Sequence, residues 1–145
     1  MYRMRELLES MPANWHLRPP LRFGPAEGLF QKLPGDCLEF FKYANGGEGK
    51  IGKVYLTIWQ LDNLDDLNIG YGFHNHMHDK LIVVGTTDDA FVAFDFSEQK
   101  SHWVVFPFGD FCLGEVCTVS DSFSALLFAF LNNEFPDRAK KMLTP

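Results

Sequence analysis

The chain has 145 residues, 46% of them apolar and 22% charged, with a formal net charge of −6. This is the mix of one globular domain, and it excludes wholesale disorder. The longest apolar run, 125–131, is seven residues, and 81–84 is four. That is far short of the roughly 20 needed to cross a bilayer, and no basic-then-apolar leader opens the chain.

The first 25 residues are expected to form a short helix over 2–10, with Met4, Leu7, Leu8 and Met11 at helical spacing, followed by an irregular arm. Pro12, Pro19, Pro20 and Pro25 punctuate that arm, and Trp15 and Phe23 are the residues expected to pin it to the body. A short helix is expected over 26–32. Residues 34–44 form a stronger helix pattern: Pro34 suits its first turn, Asp36 complements its positive end, and Cys37, Phe40, Phe41 and Ala44 make one apolar stripe. Asn45-Gly46-Gly47 then supplies residues tolerant of positive φ, as a helix stop requires.

From Lys53 the period changes to two. Residues 54–59 read as a strand buried on both faces. Residues 60–72 are polar, with Leu61, Leu64 and Leu67 spaced for one or two helical turns. Strands are expected over 81–85 and 90–96, joined as an antiparallel hairpin by 86–89, then over 102–106, and a short fifth over 115–119. Ser120-Asp121-Ser122 offers capping oxygens to an amphipathic helix carrying Phe123, Leu126, Leu127, Phe130 and Leu131. Pro136 can start a basic terminal helix. The fold class is therefore α+β: a mainly antiparallel sheet of about four to six strands, flanked by N-terminal and C-terminal helices. The organisation expected is an arm at 1–25, a domain at 26–135 and a basic tail at 136–145.

The charge is uneven. Residues 1–53 carry +2 and residues 135–145 carry +2, while 54–134 hold twelve carboxylates against Lys80 and Lys100, a net −10. An acidic middle repels phosphate backbones, so direct nucleic-acid binding is not expected there. The block serves as a solubilising surface or, beyond that, steers a basic protein partner. The partner-binding candidates are the loop carboxylates Asp62, Asp65, Asp66, Asp88, Asp89, Asp110 and Glu115.

His74, His76 and His78 alternate, and a His-x-His pair on a strand can bind zinc. On an extended chain the first and third lie ~13 Å apart, so all three could share a metal only if the backbone bends sharply. Ordinary loop histidines are the first reading and a metal or proton-linked site, as in a metal-binding enzyme or sensor built on His74, His76 and His78, is the second; no cofactor is expected. Gly46-Gly47-Glu48-Gly49-Lys50 lacks the first glycine and the Ser or Thr of a phosphate loop. There is no dinucleotide fingerprint, nucleophile elbow or calcium-loop frame, and no nucleophile–base–oxyanion set to suggest an enzyme. Cys37, Cys112 and Cys117, an odd count with no Cys-x-x-Cys pair, read as buried thiols in a reducing cytoplasm.

The order of segments resembles the SUKH superfamily, which includes fungal cell-wall-assembly regulators of the Smi/Knr type and bacterial immunity proteins of polymorphic toxin systems. The residues that carry the resemblance are Leu33-Pro34-x-Asp36 with Phe40-Phe41 and Asn45-Gly46-Gly47-Glu48-Gly49, then Tyr55 with Ile58-Trp59-x-Leu61-x-x-Leu64. They continue in Leu81-Ile82-Val83-Val84-Gly85, Ala90-Phe91-x-Ala93-Phe94-Asp95, Val104-Val105-Phe106-Pro107-Phe108 and Ser120-Asp121-Ser122-Phe123. Two departures lie in loops: Thr87-Asp88-Asp89 replaces a glycine-rich turn, and His78-Asp79-Lys80 stands where the family often has a proline. The resemblance implies a single non-catalytic α+β domain that acts by binding another protein. The partner it implies is typically a toxin, often a basic nuclease, with a regulatory or scaffolding role in cell-wall assembly as the alternative.

Overall fold

The structure is a computed structural model that describes residues 3–97, 101–109 and 116–145. Seven strands form one antiparallel sheet whose spatial order is the chain order. They are β1 (Trp15–Leu17), β2 (Gly47–Ile51), β3 (Val54–Ile58), β4 (Leu81–Thr86), β5 (Ala90–Asp95), β6 (His102–Pro107) and β7 (Cys117–Ser120). The helices are α1 (Met4–Glu9), α2 (Gly35–Tyr43), α3 (Leu64–Tyr71), α4 (Phe73–His76), α5 (Phe123–Asn132) and α6 (Asp137–Leu143), with 3₁₀ turns at Leu29–Lys32 and Leu61–Asn63. The α+β class and the antiparallel meander are as the sequence predicts; two strands, β1 and β2, exceed the expectation.

The first face of the sheet carries the larger core. Leu56, Ile58, Ile82, Val84, Val92, Trp103 and Val105 meet Met4 and Leu7 of α1, Phe40 and Phe41 of α2, Leu126 and Phe130 of α5, and Ala139 and Leu143 of α6. The residues at both ends of the chain therefore enter one core with the middle. Helix α5 starts as expected, with Ser122 Oγ accepting the Ala125 N–H at 3.1 Å, and it ends at Asn133 in the left-handed region at φ 55°. Asp36, in the first turn of α2, accepts the Ser124 N–H and hydroxyl at 2.9 and 3.0 Å, so one carboxylate ties the starts of α2 and α5 together.

A second, smaller core sits on the opposite face over β4–β6: Leu81, Val83, Phe91, Ala93, Val104 and Phe106 pack under Phe73 and Met77 of the α4 region. Strands β4 and β5 are thus buried on both sides, which is why they read as continuous apolar runs. Asn68 of α3 fixes this cover. Its Nδ2 donates to Val83 O at 2.9 Å and to Leu64 O at 2.8 Å, and its Oδ1 accepts the Val83 N–H at 2.9 Å. The side-chain amide makes the paired contacts that a neighbouring strand would make, beside the register shift between Val83 and Gly85.

Several expectations change. Residues 12–25 are not wholly irregular: Trp15 is buried, donates its indole N–H to Leu56 O at 3.0 Å, and opens β1 against β2. Phe23 does not pin the arm, being 88% exposed. Residues 54–59 are not buried on both faces; β3 alternates, with Val54, Leu56 and Ile58 inside and Tyr55 outside. The helix expected over 26–32 is reduced to a 3₁₀ turn. Gly46 and Gly47 do not stop α2 in a left-handed cap, since Ala44 at its C-cap is extended. They instead lead into β2: Gly47 is its first residue, and Gly46, just before it, has φ +80° and a Cβ there would run into the Ile58 carbonyl oxygen. The short strand expected over 115–119 is β7, its first residue on the expectation lying outside the described residues.

Candidate functional site

On the second face, the half of the sheet formed by β1–β3 carries, among the described residues, no helix comparable to α3 and α4 on β4–β6. Its outward residues are His16, Glu48, Lys50, Tyr55 and Thr57, and all but the half-buried Thr57 are exposed. The ladder aligns them: His16 pairs with Glu48, Glu48 with Thr57, Lys50 with Tyr55, and Thr57 with Thr86. Glu48 is held from two sides. Arg18 Nη2 donates to its Oε1 at 3.0 Å, and the Tyr55 hydroxyl lies 3.4 Å from its Oε2. The negative charge of Glu48 raises the Tyr55 phenol above its ordinary value, followed by burial, the Glu48 hydrogen bond and the charge of Asp88, with Arg18 opposing. Continuing the Thr57–Thr86 register by two residues places Asp88 alongside Tyr55, in agreement with that influence.

The boundary between the bare and covered halves is aromatic. Trp59 stacks on Tyr71 with centroids 6.0 Å apart and planes 4° apart, and Tyr71 also meets Phe73 at 5.3 Å and Phe91 at 5.2 Å. Phe108 meets Phe91 at 4.8 Å. Tyr71 and Phe108 are 44 and 40% exposed, so the edge of the second core opens to solvent as a ledge of two rings, while Tyr55, also 44% exposed, stands on the bare half. Exposed aromatics of this kind are enriched where proteins bind proteins.

The predicted carboxylates fall in two places. Asp88 and Asp89 are exposed in the tight turn between β4 and β5, where Thr87 Oγ1 accepts the N–H groups of Asp89 and Ala90 at 3.2 and 3.0 Å. This turn borders the aromatic ledge. Asp62, Asp65 and Asp66 lie around the start of α3, and two of them hold the fold. Asp62 Oδ1 accepts from Asn45 Nδ2 at 3.0 Å, and Asp65 Oδ1 accepts the Leu29 N–H at 3.1 Å. Asp66 is exposed, as is Ile69 one turn further on, at 77%. Asp110 and Glu115 lie outside the described residues, as does Cys112. Cys37 and Cys117 are buried, and burial, with Asp36 next to it, pushes the Cys37 thiol well up.

The histidines do not lie on a strand. Residues Phe73–His76 form a helical turn that carries His74 and the exposed His76, while His78 follows the turn, and His74 and His78 meet different partners. His74 Nε2 lies 3.0 Å from Leu81 O, His78 Nε2 lies 3.5 Å from Asp95 Oδ2, and His78 Nδ1 accepts the Lys80 N–H at 3.1 Å. Among the described residues no group of three or more His, Cys, Asp or Glu side chains is placed to hold a metal ion. No helix among them is long and apolar enough to cross a membrane.

None of Tyr55, Tyr71 and Phe108 is among the site candidates that the sequence offers, although Tyr55 and Phe108 stand in segments that carry the resemblance. The signal for Tyr55 was present in the polar alternation Glu48, Lys50, Tyr55 and Thr57, which marks one open face; Tyr71 and Phe108 carry no such signal, since their exposure depends on where α3 ends and β6 stops. No protein-family model matches the sequence, and no curated protein matches it. The functional reading therefore stands on these residues and their chemistry.

Proposed function

We propose that this chain is a SUKH-like, non-catalytic protein-binding domain that neutralises a basic toxin as its immunity protein, in the cytoplasm. The observation that carries the reading is the set of exposed rings, Tyr71 and Phe108 at the edge of the second core and Tyr55 on the bare half, with the exposed acids Asp88 and Asp89 in the turn beside Phe108 and Tyr55. Partly exposed rings on a rigid sheet supply contact area with little entropy to lose. The surrounding carboxylates, within a segment of net −10, favour fast encounter with a cationic surface. The order of motifs shared with SUKH proteins points the same way.

The test has two parts. The partner is captured from the source cell and identified, and co-expression of this chain is asked to relieve the toxicity of that partner. Association is then followed at low salt for the wild type and for Asp66→Lys, Asp88→Lys and Asp89→Lys combined. Asp65 is left alone because it holds Leu29. The proposal expects relief of toxicity and association slowed at least about tenfold, with the difference shrinking as salt is added. A captured partner that harms no cell, or an unchanged association rate, contradicts it.

A further inference from the structure

We propose that the bare β1–β3 half of the second face receives an arginine-bearing segment of the basic partner, with one guanidinium lying on the Tyr55 ring between the carboxylates of Glu48 and Asp88. The inference rests on the protein-binding reading and deepens it by naming the floor of the site and the group it recognises.

A sheet face without a cover is ordinarily polar along its whole length, and this one is polar except at one place. Tyr55 is a large ring on that face with 44% of its surface exposed. Its phenol oxygen is drawn to Glu48 Oε2, so the ring is held by a partner on its own sheet. Carboxylates stand on both sides: Glu48 on β2 and, in the turn that follows β4, Asp88, whose charge reaches the phenol. The negative field of these two acids is felt at the phenol in spite of Arg18. A flat cation suits this arrangement better than a round one. A guanidinium stacks on an aromatic face while its edge N–H groups reach carboxylates in the ring's plane, whereas an ammonium satisfies one of these contacts at a time.

The chain itself already contains half of the geometry. Glu48 takes a guanidinium from Arg18 on its Oε1 side at 3.0 Å, leaving Oε2 toward Tyr55. Lys50, opposite Tyr55 across the ladder, limits the patch on the β2 side. Trp59, just past the end of β3, stacks on Tyr71 and packs against the second core, and so marks where the covered half begins. Asp66, another exposed acid, lies at the start of α3 one turn before an exposed aliphatic residue, Ile69, so charge alone does not distinguish the two places but the ring of Tyr55 does.

The experiment needs no knowledge of the partner. Isotope-labelled full-length protein is titrated at low salt with hexa-arginine and, separately, with hexa-lysine, and backbone and tyrosine ring resonances are followed. The expected response to hexa-arginine is centred on Glu48, Tyr55, Thr57 and Asp88, and hexa-lysine gives a weaker one. Tyr55→Leu should weaken hexa-arginine binding about two- to fivefold, the size of an exposed cation–π contact, while Glu39→Gln, at an exposed acid on α2, leaves the response at Tyr55 in place. A response spread evenly over the acidic residues, one centred on Asp66, or equal binding by Tyr55→Leu overturns the placement. Each of these leaves the protein-binding reading standing, because that reading is decided by the natural partner's identity and toxicity.

Discussion

The second face of this sheet is two surfaces built on one pleat. Over β4–β6, both faces of the strands are apolar and α3–α4 close the outer one with Phe73 and Met77. Over β1–β3, the inner face is equally apolar, with Trp15, Ile51, Leu56 and Ile58 in the main core, but the outer face reads His16, Glu48, Lys50, Tyr55 and Thr57. The difference teaches where stability and recognition are divided. The covered half orders the molecule by burying rings. The bare half adds little burial and leaves side chains at fixed spacing for another molecule to meet. A rigid floor next to a stable cover keeps that spacing constant, which lowers the ordering cost of binding.

The contrast makes graded predictions. Phe73 is fully buried and touches Tyr71, Phe91 and Phe106, so Phe73→Ala should cost about 3–5 kcal/mol in denaturant unfolding. The same truncation at Tyr55, on the bare half, should cost under about 1 kcal/mol; equal losses at the two sites would erase the distinction between the halves. Asn68→Leu keeps an apolar volume but leaves the N–H and C=O of Val83 without the side-chain amide. A loss of about 1–3 kcal/mol is expected, with faster hydrogen exchange at Val83 as the local sign.

Smaller effects belong to the bare half. Glu48→Gln should change stability by no more than about 0.5 kcal/mol, as at other exposed positions. It should nevertheless move the ionisation of Tyr55 to lower pH, because the leading cause that raises it is the Glu48 charge and tyrosinate is destabilised by a neighbouring anion. Tyrosinate absorbance in an alkaline titration reads this directly. Asp88→Asn should act in the same direction and less, since its influence ranks below that of Glu48. A Tyr55 titration indifferent to both changes would remove the electrostatic basis of the site.

Most of the covered half could be read before any coordinates. The runs 81–84 and 90–94 are apolar at every position, and that is the mark of strands buried on both sides; the cap and spacing of α5 were equally plain. The bare half was harder for physical reasons. Strand β1 is three residues between prolines, too short for a period to show, and β2 begins in glycines that resemble a turn. The pattern in β3 was visible, but Tyr55 and Thr57 have strand propensities as high as buried residues, so apolar-looking alternation was read as burial on both sides. The acids were found by charge alone, and charge could not tell Asp65, which holds a backbone N–H, from Asp88, which is exposed. Nor could spacing show that residues 73–76 turn as a helix and send His74 and His78 to separate partners.

The central claim, that this chain works by presenting the bare half of its sheet to a protein, is tested most directly by hydrogen exchange on the chain alone and in complex with its captured natural partner. The account predicts new protection in 47–51, in 54–58 and in the turn at 86–90, with α1, α5 and α6 unchanged. Protection confined to those helices, or to the start of α3, with β2 and β3 exchanging as they do in the free chain, would contradict it.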